Sequence, residues 1–119
     1  MLLYFFRYSL VGLINTLSHW CFFTFLFFIC KLDQASSNLI AFVFSFCIGC
    51  FLNLRWTFKF SINLKKIILY FLIMLCISWS IGFFMDCFNL LPIYTLVMSS
   101  LSSWFLGFLF SIKFFIGNK

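Results

Sequence analysis

Charged residues divide this chain into four long apolar stretches. No Asp, Glu, Lys or Arg occurs in the 23 residues 8–30, the 21 residues 34–54, the 19 residues 67–85 or the 26 residues 87–112. The hydrocarbon core of a bilayer is about 30 Å thick and a helix rises about 1.5 Å per residue, so about 20 residues span it. The pattern predicts an all-α integral membrane fold, with four transmembrane helices near 8–29, 36–55, 67–86 and 92–112 in one domain covering 1–119. Nothing alternates over enough length to supply the strands of a β-barrel.

The second stretch, with the segment that follows it, reads NLIAFVFSFCIGCFLNLRWTF and organises the others. Within it Ala41, Ser45, Gly49 and Asn53 recur every four residues, on one helix face. Small residues on one face let another helix approach closely, which is how helices associate in lipid. An offset of 58 turns this stripe into Ser99, Ser103, Gly107 and Ser111, Arg55 into Lys113 and Trp56 into Phe114. The recurrence predicts a duplicated two-helix hairpin. An even number of spans per copy holds the two copies parallel, related by an axis along the membrane normal.

Helix 1 joins this seam through Gly12, with Asn15, Thr16 and His19 on the same face. Asn15 lies about 12 Å deeper than Arg7. Polar groups at such depth serve either a function or helix association. Thr16 reads as interhelical glue as readily as a functional group. His19, with no carboxylate in its own helix, reads as a packing residue. Helix 3 says least: Ser78, Gly82 and Asp86 make a small face, and Pro92 suits the first turn of helix 4.

Composition makes the bilayer obligatory. The chain has 119 residues, 66% hydrophobic and 8% charged, where soluble domains carry about 25% charged residues. Its 22 phenylalanines cannot all be interior in a soluble fold of this size. The first span is too long for a signal-peptide core and is expected to stay in the mature protein.

Arg7, Arg55, Lys59, Lys65, Lys66, Lys113 and Lys119 fall on one side of the predicted bundle; Lys31 falls on the other, with Asp33 and Asp86. This predicts both termini in the cytoplasm. The net charge of +6 then reflects topology and affinity for anionic membrane lipids, not nucleic acid. Residues 55–66 alternate rings with cations, as a segment lying along the interface would.

The C-x-x-C of Cys47 and Cys50 lies inside a span, and the chain has one His, so no metal site is expected. Cys30 and Cys87 share the outer boundary, but pairing them demands specific geometry. Two edge carboxylates, with no nucleophile–base pair and no phosphate loop, argue against an enzyme or a cofactor.

RYSLVGLINT in helix 1 and the NLIAFVFSFCIGCFLNLRWTF segment resemble the GtrA-like family of small four-helix membrane proteins. The likeness rests on Arg7, Tyr8, Val11, Gly12, Asn15 and Thr16, then on Asn38, Ala41, Phe42, Phe51, Asn53, Arg55, Trp56, Thr57 and Phe58. It covers roughly the first half of the chain; the second half fits by length and number of spans. Two departures stand out. The family often has a basic residue directly after the Asn of its second motif, where this chain has Leu54 and then Arg55, turning the cation by about 100°. The position of His19 is frequently acidic in the family.

The resemblance implies movement of a polyprenyl-phosphate-linked sugar, such as undecaprenyl-phosphate glucose, from the cytoplasmic to the outer leaflet of a bacterial inner membrane. The purpose would be cell-surface polysaccharide modification of the O-antigen type. A membrane glycosyltransferase, encoded nearby, would make that lipid. Arg7, Arg55, Lys59 and Lys113 suit the phosphate. Asn15, Asn53 and Ser111 suit the sugar hydroxyls, along a packing seam of Gly12, Ala41, Ser45, Gly49, Ser99, Ser103 and Gly107. The tail can stay in lipid, in an open groove, since four helices enclose little volume unless two copies form a homodimer. Two other readings stay open: a non-transporting anchor for a glycosyltransferase, and a small exporter of hydrophobic cations. The exporter would want a membrane-embedded carboxylate, which helix 1 lacks.

Overall fold

The computed structural model describes residues 2–53, 55 and 64–116, with side chains except at 4, 5 and 111–116. Among these residues four helices are long and apolar enough to cross a membrane. α1 runs Leu2–Thr24 and continues as a π-helical turn over Phe25–Ile29. α2 is Gln34–Leu52, α3 is Leu64–Cys87 and α4 is Pro92–Ile116. α1 and α3 start earlier than the spans at 8 and 67 expected from hydropathy. Backbone hydrogen bonding carries a helix past the membrane boundary, whereas hydropathy marks only the part inside it.

Local chemistry sets the helix starts. Asp33 is the N-cap of α2: its carboxylate accepts the Ser36 N–H at 2.8 Å. Hydrogen bonds from Ser36 hold that exposed carboxyl below its usual range. Pro92 opens α4, where its missing N–H would have had no intrahelical partner. Both tight turns use one left-handed residue, Lys31 at φ 57° and Asn89 at φ 53°. Asn tolerates that conformation; Lys is less usual there.

α2 is the centre of the bundle. It packs extensively along both α1 and α3, while α4 lies mainly on α3 and touches α1 and α2 less. Accordingly 39% of the α2 span is buried, against 17% for each of the others. A cluster of Phe23, Ala41 and Leu96, flanked by Trp20, Phe22, Leu26 and Phe27, joins α1, α2 and α4. Large apolar side chains such as Leu13, Leu69 and Trp104 face outward, as expected where lipid is the solvent and close fit must hold helices together.

The closest fit lies between α3 and α2. A Cβ on Gly82 would sit 2.5 Å from Ala35 Cα and 2.6 Å from the Gln34 carbonyl oxygen, so only glycine permits this contact. The molecule measures 46 × 21 × 21 Å, longer than a hydrocarbon core is thick.

Candidate functional site

The tight turns lie at one end of the bundle, here the loop end; residue 2, residue 53 and residue 64 lie at the other, the terminal end. Polar side chains enter the interior at two levels.

At the loop end they satisfy one another. Asp86, on α3, accepts the Gln34 N–H at 3.1 Å and the Ala35 N–H at 3.0 Å through its two carboxylate oxygens. It therefore neutralises orphan donors at the start of α2, where a carboxylate is also favoured by the helix dipole. The Gln34 amide donates to the Leu90 carbonyl at 2.7 Å and accepts from the Thr95 hydroxyl. One turn deeper, Asn38 is fully buried. It donates to the Ser78 carbonyl at 2.7 Å and to Ser99 Oγ at 2.8 Å, and its Oδ1 lies 2.9 Å from His19 Nε2. Asn38 thus ties together all four helices. Trp20 donates to Ser100 Oγ at 2.7 Å, a further link from α1 to α4. Ser37 Oγ is the exception, buried without a partner among the described residues.

At the terminal end the pattern changes. Asn15 packs directly on Gly49: a Cβ there would meet Asn15 Nδ2 at 3.0 Å and Oδ1 at 3.1 Å. The Asn15 Oδ1 is buried and has no hydrogen-bond partner among the described residues. Asn53 Oδ1 is in the same condition, while its backbone N–H completes α2 by bonding the Gly49 and Cys50 carbonyls. Asn53 lies one turn beyond Gly49, about 6 Å along the same face. Asn15 Oδ1 thus lies in the α1–α2 seam beside Gly49, and a buried acceptor without a partner costs about 1–3 kcal/mol. Arg55 follows, exposed, its guanidinium carbon 5.5 Å from the centroid of the Phe51 ring. Arg7 is half-buried in the first turns of α1.

The expected seam residues divide. Ala41, Ser45, Gly49, Ser99 and Gly107 are buried and Ser103 is half-buried. Ser45 Oγ donates to its own helix, at the Phe42 carbonyl. A Cβ on Gly107 would meet the hydroxyls of Tyr8 at 2.6 Å and Tyr70 at 3.3 Å. Gly12 departs from the seam: nothing lies within 4 Å of where its side chain would begin. Sharing a helix face with Asn15 and His19 did not bring it a close neighbour. Thr16, read as either interhelical glue or a functional group, donates to the Gly12 carbonyl one turn back in its own helix, at 2.9 Å. Lys59 lies outside the described residues, as do the side chains of Ser111 and Lys113 and the ring of Trp56.

Sequence reasoning passed over the Asn38, Gln34, Thr95 and Asp86 network. The signal was there in Ser78, Gly82 and Asp86, which repeat at the same four-residue spacing as the α2 stripe and form the surface that α2 packs on.

Comparison with known proteins adds to this geometry. The family model described as GtrA/DPMS, transmembrane domain, matches residues 7–116. The chain is 35% identical over 116 residues to the bactoprenol-linked glucose translocase of Shigella phage SfX, covering 98% of this chain and 96% of that one. It is 34% identical over 116 residues, with the same coverage, to a prophage bactoprenol-linked glucose translocase homolog of Escherichia coli strain K12. Against the bactoprenol-linked glucose translocase of Salmonella phage P22 the identity is 32% over 111 residues, covering 93% and 92%. No solved structure matches the chain.

Proposed function

The chain belongs to the GtrA/DPMS transmembrane-domain family, and from that premise we propose that it translocates bactoprenol-linked glucose across the bacterial inner membrane, for modification of a cell-surface polysaccharide. It moves the lipid without making or breaking a covalent bond. A separate membrane glycosyltransferase loads the glucose, and its product is the cargo.

The observation that carries this reading is the pair of buried amide oxygens of Asn15 and Asn53, which have no partner among the described residues. Each is an acceptor awaiting a donor, and a sugar is a cluster of hydroxyl donors. Arg55 stands just beyond them and Arg7 on the facing helix, where a guanidinium can bind a phosphate bidentately. By sequence all basic residues but Lys31 belong to this end of the bundle. The positive-inside bias therefore puts both termini in the cytoplasm, on the side where the cargo is loaded. By sequence, Lys59, Ser111 and Lys113 are the remaining candidates for phosphate and hydroxyl contacts.

The test is a leaflet-accessibility assay with labelled bactoprenol-linked glucose in proteoliposomes. Asn15→Ala and Asn53→Ala, folded and inserted as the wild type is, should each lower transport about tenfold, the worth of one hydrogen bond to a sugar hydroxyl lost at the barrier. Undiminished transport in both would remove this seam from the path.

A further inference from the structure

The two hairpins match position by position, with one residue's difference. Their left-handed turn residues, Lys31 and Asn89, stand 58 positions apart, as do the first residues of α2 and α4, Gln34 and Pro92. The Leu90 N–H reaches the Met85 carbonyl, five residues back, and the Leu32 N–H reaches that of Leu26, six back. The first hairpin thus holds one extra residue, and the π-helical turn at Phe25–Ile29 is where a single insertion is absorbed. The offset is 58 after that turn and 59 before it.

Exchanging the two hairpins turns the α2–α3 seam into the α4–α1 seam. At α2–α3, Gly82 lies against the Ala35 backbone. The Phe71 ring packs there on those of Phe42 and Phe46, with centroids 6.0 and 4.8 Å away. The matching residues at α4–α1 are Phe23 with Ile93, then Gly12 with Ser100 and Trp104. A ring stands where the closed seam needs glycine, and glycine stands where the closed seam holds a ring. Accordingly α1 touches α4 far less than α3 touches α2.

Two rows of residues locate the opening. Tyr8, Gly12, Thr16 and Trp20 recur every four residues on α1; Ser100, Ser103 and Gly107 recur at three and four on α4. The rows meet at both ends. The Trp20 indole donates to Ser100 Oγ at 2.7 Å, and a Cβ on Gly107 would meet the Tyr8 hydroxyl at 2.6 Å. Between these contacts, nothing lies within 4 Å of where a Gly12 side chain would begin. Gly12 is half-buried while Leu13 beside it is exposed, so the row is turned to α4 and not to lipid. The opening is also polar. The Thr16 hydroxyl sits beside Gly12, donating to its carbonyl, and Ser103 is half-buried midway along the α4 row. Trp104, one turn from Ser100 and 63% exposed, puts an indole at the lipid edge of that row. Asn15, whose Oδ1 has no partner among the described residues, follows three residues after Gly12 on the adjoining face.

We propose that the α1–α4 seam is the lateral entrance for the sugar of the lipid-linked cargo, which passes at Gly12 between Tyr8 and Trp20 while α2–α3 stays shut. This rests on the transport reading above and names the route into that site. A sugar ring has an apolar C–H face and a rim of hydroxyls. The first suits the Trp104 indole, the second the Thr16 and Ser103 hydroxyls. An acyl chain satisfies none of those hydroxyls, and polar groups at membrane depth are costly against lipid. A side entrance also lets the polyprenyl tail stay in the bilayer while the head is inside.

Gly12→Phe tests this by installing the ring that closes the matching seam. It should keep or raise the melting temperature and lower transport of bactoprenol-linked glucose in proteoliposomes about tenfold or more. Leu13→Phe, on the exposed face, should leave both as in the wild type. A folded Gly12→Phe protein that transports like the wild type overturns the proposal. If that variant does not fold, Gly12→Cys decides, in the full chain with its six native cysteines replaced by alanine. The thiol at position 12 should react with a water-soluble methanethiosulfonate, and bactoprenol-linked glucose should slow that reaction about tenfold. Absence of protection overturns the proposal. So does equal protection by phosphatidylglycerol, which would make bulk lipid the occupant, or by bactoprenol phosphate without glucose. Protection at position 12 in a protein that fails the transport assay rejects the transport reading alone; transport that Gly12→Phe leaves intact rejects the entrance alone.

Discussion

The two ends of this bundle treat buried polarity in opposite ways. At the loop end, Asp86, Gln34, Thr95, Asn38, Ser99 and His19 form a network in which donors meet acceptors across four helices. At the terminal end, the side-chain oxygens of Asn15 and Asn53 are buried and have no hydrogen-bond partner among the described residues. Polar groups that are paired hold helices together; polar groups left unpaired in a dry interior are maintained against a cost. The loop end is therefore read as the clasp of the bundle, and the terminal end as the place where the proposed transport would bring in a hydroxyl-bearing cargo.

The comparison breaks most visibly at Gly82. Gly82→Val would drive a branched side chain into the Ala35 backbone and force α2 from α3. We expect loss of the folded protein in detergent, read by size-exclusion profile and melting temperature; overpacking alone costs about 1–3 kcal/mol, and here backbone must move. Gly12→Ala is its control. It meets open space, and should be neutral or stabilising by up to about 1 kcal/mol.

Asn38→Leu comes next. It strips partners from His19, Ser99 and the Ser78 carbonyl at once, and should lower stability by about 2 kcal/mol in reversible unfolding. An unchanged melting curve would show that the loop-end network is not a clasp.

Asn15→Leu sharpens the contrast, because the same kind of change should act differently at the other end. No hydrogen bond of the Asn15 oxygen is lost, so stability should hold or rise by up to about 1 kcal/mol, while transport falls. A variant that loses stability and keeps transport would reverse the roles assigned to the two ends.

The smallest effect belongs to Asp33. Its folded pKa lies below the unfolded value through the bonds from Ser36, so its contribution is complete above the unfolded carboxylate range, near about pH 4, and is lost as pH falls through the folded value. The stability difference between wild type and Asp33→Ala, about 0.5–1 kcal/mol at pH 7 for an N-cap, should shrink on acidification below that range.

Much of the fold was legible in the chain. Four charge-free stretches specify four spans because no charge tolerates the hydrocarbon, and the Ala41–Ser45–Gly49 stripe marks the buried face of α2 because only small residues allow close approach. The candidate cations and amides were legible as residues, but not their condition. Asn15 and Asn38 are both asparagines in apolar helices; one has an oxygen unpaired among the described residues and the other holds four helices together. Gly12 and Gly82 are both helical glycines; one faces open space and the other a backbone.

Periodicity within a helix is thus a property of the sequence, since it follows from 3.6 residues per turn, and hydropathy sets the number of crossings for the same local reason. Which face meets which neighbour, how close it comes, and whether a polar atom there finds a donor depend on contacts between residues 19 to 80 positions apart. Those distances are decided only when α1, α2, α3 and α4 are packed. They made Asp86 a cap for another helix and left the buried oxygens of Asn15 and Asn53 without a hydrogen-bond partner among the described residues.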